Sequence, residues 1–115
     1  MYKKITVLIQ SDPRKSHRPC EGIRLALGMA SGGHPVSILL AQKGMFVLYR
    51  DREDWVDEDR LEKFLSVLDD FSPIFFADEA STAEAEPAKM DHEIHLLPKT
   101  EYALKIAEAD CLFIF

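Results

Sequence analysis

The sequence is short of positive charge, and this shortage limits the partners that the protein can have. Lysine and arginine total 14 against 20 acidic residues, which gives a formal net charge of −6. Proteins that bind nucleic acid usually present a basic face, so we predict no nucleic-acid partner. Docking on an acidic membrane surface is disfavoured for the same reason.

Long apolar runs are also missing. No stretch approaches the ~20 apolar residues that a helix needs to cross a bilayer. The N-terminal residues 1–5 do not open an apolar region of the length that a secretory signal needs. We therefore predict a cytoplasmic protein that makes no contact with a membrane.

Cysteine is scarce as well. The two cysteines, Cys20 and Cys111, fit neither a CxxC motif nor the spacing of a zinc ribbon. Two cysteines in a cytosolic protein are more often free thiols than a disulfide. His92 and His95 match no standard ligand spacing either, so we predict neither a metal nor a cofactor.

What the sequence does contain is a regular alternation of apolar runs and helical patterns. Its 115 residues suffice for one domain, residues 1–115, with a core of its own. The alternation predicts a three-layer α/β/α fold with a five-stranded, mainly parallel sheet of flavodoxin-like topology. Strands are predicted at 5–9, 36–41, 74–77, 94–97 and 111–115, and helices at 16–30, 58–68 and 99–109.

Some local features carry more specific expectations. Asp57 is expected to cap the second helix, and Gly32 and Gly33 to end the first one in the left-handed conformation. Residues 45–49 (MFVLY) suit a strand, a short helix or a packed loop, and the alanine-rich residues 79–86 suit a two-turn helix. Residues 45–49 and Trp55 are also the predicted contact with a neighbouring subunit.

The polar turn between the first strand and the first helix is the candidate binding site. Ligands of parallel sheets gather where the carboxyl ends of strands meet the N-termini of helices. A phosphate, sulfate or nucleotide anion would suit this turn, although the GxxxxGK[ST] spacing of a P-loop is absent. A solvated charged loop is the competing interpretation. The candidate residues of the turn are Ser11, Arg14, Ser16, His17 and Arg18.

Cys20 lies in the first turn of the predicted helix. Unpaired N–H groups and the helix dipole stabilise a thiolate there, and the basic side chains of the turn add positive charge. Cys20 is therefore the candidate nucleophile of a persulfide carrier, or a redox thiol, and as a carrier it would make the protein sulfurtransferase-like. The competing interpretation is a small buried side chain that packs the start of the helix.

Several segments together resemble one family. They are residues 5–9, 16–30 (SHRPCEGIRLALGMA), 33–36 (GHPV), 38–45 and 109–113 (ADCLF). In these segments the chain is similar to the DsrE/DsrF-like family, which includes the sulfur-relay proteins of the DsrE and TusD type. The resemblance implies a small α/β domain with a five-stranded, mainly parallel sheet. It also implies assembly as a dimer, trimer or hexamer, or with another DsrE-like subunit.

Two positions depart from the pattern of that family. Its sulfur carriers have a reactive cysteine just after the third strand, and residues 75–81 (FFADEAS) contain none. Lys43 stands where the family has an acidic residue before the glycine, here Gly44. Asp78 and Glu79 occupy the neighbourhood of the missing cysteine, where they either take part in the site or cap the segment that follows. These four residues complete the predicted ligand-binding set.

The favoured hypothesis is a DsrE-like accessory of sulfur metabolism, or a small-ligand or anion-binding subunit, that is not a standard persulfide carrier. An interaction module that forms homo-oligomers without chemistry is the first alternative. A nucleotide or flavin binder, which rests on topology alone, is the second. Enzymatic activity depends on whether Cys20 is reactive.

Overall fold

The computed structural model describes residues 2–81, 85–86, 89–90 and 92–115. The strands are β1 (Ile5–Ile9), β2 (Val36–Leu40), β3 (Ile74–Asp78), β4 (Ile94–Leu97) and β5 (Cys111–Ile114). The α-helices are α1 (Arg18–Ser31), α2 (Glu58–Leu68) and α3 (Lys99–Glu108). Two 3-10 helices span Gln42–Leu48 and Asp69–Phe71, and we call the longer one the 3-10 segment.

The strands form one sheet in the order β4-β3-β2-β1-β5, and all four neighbouring pairs are parallel. Within the sheet, Ile5 of β1 pairs with Val36 of β2 on one side and with Cys111 of β5 on the other. Parallel sheets are covered on both faces, which explains why β1 and β2 are nearly continuous apolar runs. The predicted α/β fold with a five-stranded, mainly parallel sheet is confirmed.

The strand order corrects one part of the prediction. A flavodoxin-like sheet has the order 2-1-3-4-5, in which the chain changes direction after its first crossover. Here the connections from β1 through β4 all step in one direction, and the connection through α3 returns across the sheet to β5. Because right-handed crossovers in opposite directions lie on opposite faces, α3 covers the face that α1 and α2 leave open.

Helices cover both faces of the sheet, and successive residues of a strand point to opposite faces. Ile38 packs into the main core together with Ile23 of α1 and Leu61 of α2. Leu39, the next residue of β2, packs on the other face against Tyr102 of α3. These contacts make the three layers α/β/α, with the main core beneath α1 and α2.

Three local predictions differ in detail from the structure. Gly32 is right-handed (φ −78°) and Gly33 is left-handed (φ 87°), since α1 extends one residue further than predicted. Asp57 precedes α2 as predicted, but its side chain makes no capping hydrogen bond. The ambiguous residues 45–49 belong to the 3-10 segment and its C-terminal cap. The helix predicted at 79–86 falls partly outside the described residues.

Candidate functional site

The carboxyl ends of the parallel strands β1, β2 and β5 lie at the same end of the sheet. The loops that follow these strands contact one another there. Ala41 N, after β2, donates to Ile9 O at the end of β1 (3.0 Å). Phe115 O, after β5, accepts the N–H groups of Gln10 (2.8 Å) and Ser11 (3.4 Å). Parallel strands therefore bring segments that are distant in sequence to the start of α1, as predicted for the candidate site.

The loop after β3 joins this edge through Ser81. Its Oγ accepts the N–H of Gln42 (3.3 Å), and its own N–H donates to Asp78 Oδ1 (2.7 Å). Asp78 thus caps the turn after β3. The sequence offered this capping role as the alternative to ligand binding by Asp78. Glu79 is exposed beside it. We call the loops at 10–18, 41–44 and 78–81 the carboxyl edge.

Gly44 permits the close approach of these loops. A Cβ atom at this position would lie 2.1 Å from Ile9 O and 3.0 Å from Gln10 N. Any side chain here would push the 3-10 segment away from the end of β1, because backbone atoms can approach so closely only at glycine. Gly44 therefore shapes the carboxyl edge with its backbone and contributes no chemical group to it.

Arg14 is engaged with its own loop. Its Nε and Nη2 each donate to a carboxylate oxygen of Asp12, both at 2.9 Å. The side-chain hydrogen bond from Arg14 lowers the pKa of Asp12, so the two groups carry opposite charges that cancel at neutral pH. The guanidinium carbon also lies 4.4 Å from the centre of the Phe46 ring. An anionic ligand would have to compete with Asp12 for Arg14.

Ser16 and Arg18 hold the beginning of α1. Ser16 Oγ accepts the N–H of Arg18 (3.1 Å), which satisfies one of the open N–H groups at the helix start. Arg18 Nη2 donates to Ile114 O of β5 (3.0 Å), which is a neutral acceptor. Among the residues that the structure describes, no carboxylate forms an ion pair with Arg18, so its charge remains at the carboxyl edge.

Lys43 is exposed at the beginning of the 3-10 segment. It lies close enough to Asp12 to contribute to the lowered pKa of that carboxyl group. Both oxygens of Asp12 already accept hydrogen bonds from Arg14, and Lys43 forms no ion pair within the described ranges. Lys43 therefore adds unmatched positive charge to the carboxyl edge.

His17 and Asp57 form a pair that sequence reasoning did not find. His17 Nδ1 lies 2.5 Å from Asp57 Oδ2, and Arg60 Nη1 lies 3.6 Å from the other carboxylate oxygen. The two residues immediately precede α1 and α2, and neither side chain caps its own helix. The pair links the N-terminal ends of the two helices. It also places the negative charge of Asp57 next to His17. Forty residues separate the partners, so spacing gives no signal for the contact.

Cys20 lies in the first turn of α1, as predicted, but its side chain belongs to the main core and is 2% exposed. Burial raises the pKa of the Cys20 thiol, and the positive charge of Arg60 opposes this effect only in part. A protonated and enclosed thiol is a poor nucleophile. The geometry therefore favours the interpretation of Cys20 as a small buried side chain.

The predicted subunit contact at residues 45–49 needs a correction. Met45, Val47 and Leu48 are buried in the main core of the chain itself, so they are not accessible to a neighbouring subunit. The 3-10 turn causes this, because it directs two of every three side chains towards the sheet. The aromatic side chains of this region that remain half-buried are Phe46, Tyr49 and Trp55.

The described residues form neither a metal centre nor a membrane-spanning helix. In the described part of the chain, no group of three or more His, Cys, Asp or Glu side chains is placed to hold a metal ion. His92 instead pairs through Nε2 with Asp69 Oδ1 at 2.8 Å. Of the helices formed by described residues, none combines the length and the apolar character that crossing a membrane requires.

Comparisons with known proteins were made with both the sequence and the structure. No family model matches the sequence. No curated protein matches it either. The crystal structure of the YchN protein from E. coli matches the structure with a TM-score of 0.76 at 16% identity, over 100% of both chains. YchN is a DsrE/DsrF-like protein with a five-stranded parallel sheet.

The chain has the DsrE-like fold. This confirms the structural part of the resemblance that residues 5–9, 16–30, 33–36, 38–45 and 109–113 indicated. At 16% identity the likeness establishes the fold, and the role of this chain depends on its own side chains.

Proposed function

We propose that this protein is a DsrE-like accessory subunit that binds a small oxoanion at the carboxyl edge. The observation that carries the proposal is the meeting of four strand ends beside Lys43 and Arg18, two cations that have no carboxylate partner among the described residues. In parallel α/β sheets this edge is where ligands bind.

The balance of charge at this edge supports an anionic ligand. The positive charge of Arg14 is matched by the carboxylate of Asp12. The carboxylate of Asp57 lies beside His17. Asp78 accepts the N–H of its own turn and contributes to the raised pKa of Tyr102 on the α3 side of the sheet. Across the three loops, four cations, Arg14, Lys15, Arg18 and Lys43, stand against three carboxylates, Asp12, Asp78 and Glu79, so the carboxyl edge carries a small net positive charge although the whole chain is acidic.

The side chains also argue against a persulfide carrier. The family's carriers use a cysteine after the third strand, and that stretch contains Asp78 and Ser81 in one tight turn. Cys20, the other candidate, is enclosed and has a raised pKa. A role in sulfur metabolism would then consist of binding an oxoanion such as sulfite or thiosulfate, without forming a covalent bond to sulfur.

Titration of the ¹⁵N-labelled protein with phosphate, sulfate and thiosulfate tests the proposal. We expect saturable shifts of the amide signals of Ser11, Lys43 and Gly44, and about tenfold weaker binding after Lys43→Met, since one charge-assisted contact is lost. Lys63→Met, which removes an exposed lysine from α2, is the control. Absence of saturable shifts at these three amides would refute the proposal.

A homo-oligomeric interaction module is the second candidate, and one observation favours it. Leu112 and Ile114 of β5 are 39% and 48% exposed. They pair in register with Thr6 and Leu8 on the sheet face where α3 packs over β3 and β4. A second copy, or another DsrE-like subunit, could cover this apolar strand. Light scattering at micromolar concentration tests the candidate: a dimer, trimer or hexamer that Ile114→Ser dissociates supports it, and a monomer rejects it.

A further inference from the structure

The 3-10 segment presents a stripe of side chains that its geometry aligns. In a 3-10 helix, residues three positions apart lie on the same side. Lys43 and Phe46 have this spacing, and Tyr49, the residue that caps the segment, continues it; all three are exposed or half-buried, as is Gln42 at the start of the segment. Gly44, Met45, Val47 and Leu48, which lie between them, are buried. The main core is thus filled mainly by these other residues; Lys43 and Phe46 lie on the outer side of the segment, and Tyr49 packs partly against the core.

Three aromatic rings continue along this stripe. The centres of the Phe46 and Tyr49 rings are 4.9 Å apart in an edge-to-face arrangement, with 88° between their planes. The ring of Trp55 follows at 6.3 Å from Tyr49, with 34° between the planes. We call these three residues the aromatic row. Each ring is half-buried, so the row keeps an accessible side.

Hydrogen bonds hold the aromatic row in place. Tyr49 Oη accepts the N–H of Glu86 (2.8 Å), and the backbone of Tyr49 forms an antiparallel bridge with Met90. The next residue, Arg50, donates its N–H to Lys89 O (2.9 Å). Since the middle ring is fixed at both its hydroxyl and its backbone, little conformational freedom would be lost when a ligand stacks on the row.

Charge complementarity selects the ligand. Lys43 stands at one end of the stripe with unmatched positive charge, next to the neutralised pair Asp12 and Arg14. With a rise of about 2.0 Å per residue, Phe46 lies about 6 Å from Lys43 along the segment and Tyr49 about 12 Å. The guanidinium of Arg14 lies over the Phe46 ring, 4.4 Å from its centre, so a base that stacks on Phe46 takes the place of Arg14 or stacks on the guanidinium itself.

We infer that the aromatic row and Lys43 together bind an aromatic ring that carries an anionic group on a short linker, the class represented by nucleoside monophosphates. The ring stacks on the row, and the anion contacts Lys43. This inference rests on the proposed function, because Lys43 is the anion contact in both. The net charge of −6 argues against a long nucleic acid as the source of this ligand.

Calorimetric titration with three probes tests the inference. They are adenosine monophosphate, ribose 5-phosphate, which lacks the ring, and inorganic phosphate. We expect the nucleotide to bind about tenfold or more tightly than ribose 5-phosphate, as is usual when a base stacks on an aromatic side chain. Trp55 is the only tryptophan of the chain, so its fluorescence should change with the nucleotide and not with phosphate.

Variants of the row identify the stacking contact. Phe46→Leu should lower the affinity for the nucleotide to that for ribose 5-phosphate and leave phosphate binding unchanged. Phe71→Leu is the matched control, since Phe71 is 45% exposed near the start of β3, at the opposite edge of the sheet. Trp55→Leu, followed by calorimetry, provides the same comparison if Phe46→Leu does not fold.

The results of these titrations distinguish a failure of the nucleotide inference from a failure of the proposed oxoanion site. Equal affinities for the nucleotide and ribose 5-phosphate would overturn the inference while leaving the oxoanion site intact. An unchanged preference for the nucleotide in both folded row variants would also overturn it. Failure of all three probes to bind would refute the proposed function and the inference together.

Discussion

Gly44 packs its Cα against the carbonyl group of Ile9, at the end of β1. A methyl group on Gly44 would lie 2.1 Å from that oxygen, well inside the contact distance of the two atoms. The 3-10 segment that begins at the end of β2 is therefore seated directly on β1. This contact fixes where Lys43 and Phe46 stand relative to the polar turn before α1.

Gly44→Ala should destabilise the protein by about 1–3 kcal/mol or more, because the added methyl group forces the backbone apart. Gly28→Ala is the matched control: the same change in the middle of α1 meets no atom within 4 Å. There it should stabilise the protein by about 0.5–1 kcal/mol, since alanine favours a helix. Urea denaturation of both variants measures the difference. Equal stabilities of the two variants would contradict the close contact.

Asp57 offers a prediction about backbone conformation. Its φ of 58° lies in the left-handed region, where glycine is unstrained. Asp57→Ala and Asp57→Gly both remove the carboxylate from His17 and Arg60, so the difference between them reports on the backbone. We expect Asp57→Ala to be about 1 kcal/mol less stable than Asp57→Gly. The reverse order in thermal unfolding would show that residue 57 is not left-handed in solution.

Tyr102 makes stability depend on alkaline pH. Burial, with a smaller contribution from Asp78, raises the pKa of Tyr102 above its ordinary value. The folded state therefore holds this proton more tightly than the unfolded chain. The stabilisation is complete below pH ~10, the unfolded pKa, and is lost at about 1.4 kcal/mol per pH unit above it.

Melting temperatures measured from pH 9 to about pH 11 should accordingly fall more steeply for the wild type than for Tyr102→Phe. Tyr2→Phe, at a tyrosine that is 69% exposed, should follow the wild-type curve. Parallel curves for the wild type and Tyr102→Phe would indicate that the phenol titrates freely in the folded protein.

Cys20 should resist thiol reagents while the protein is folded. In a Cys111→Ser variant, which isolates Cys20, we expect alkylation to be slow at neutral pH and fast in denaturant, because the thiol is enclosed and protonated. Intact mass after exposure to a persulfide donor should show no added sulfur. A gain of one sulfur that disappears in Cys20→Ser would instead establish a carrier function.

Much of the fold could be predicted from local patterns. Short apolar runs such as residues 5–9 and 36–40 mark strands covered on both faces, and the four-residue spacing of Leu61 and Leu65 marks a helix that buries one side. The convergence of loops at the carboxyl edge followed from the parallel strands alone. The strand order did not, because the length of a connection says little about the direction in which it crosses the sheet.

The side-chain contacts at the site could be predicted from the sequence less well than the fold. The carboxylates that pair with Arg14 and His17 are Asp12 and Asp57, and the sequence instead suggests Asp78 and Glu79 as partners of the basic turn. Asp12 lies two residues from Arg14, and this spacing was an available signal. Asp57 reaches His17 only through the packing of α1 on α2. The burial period of three in the 3-10 segment falls between the periods of a strand and an α-helix, which explains why residues 45–49 stayed ambiguous.

The pairing of β1 with β5 has a consequence for how the chain acquires its structure during synthesis. Lys4 N donates to Asp110 Oδ2 across 106 positions of sequence, at the very start of that pairing. β1 therefore keeps one side unpaired until almost all of these residues have left the ribosome. Non-local pairing of this kind slows folding, and an open strand edge attracts other chains. We expect the nascent protein to need chaperone protection up to residue 114, and truncation before β5 to cause aggregation.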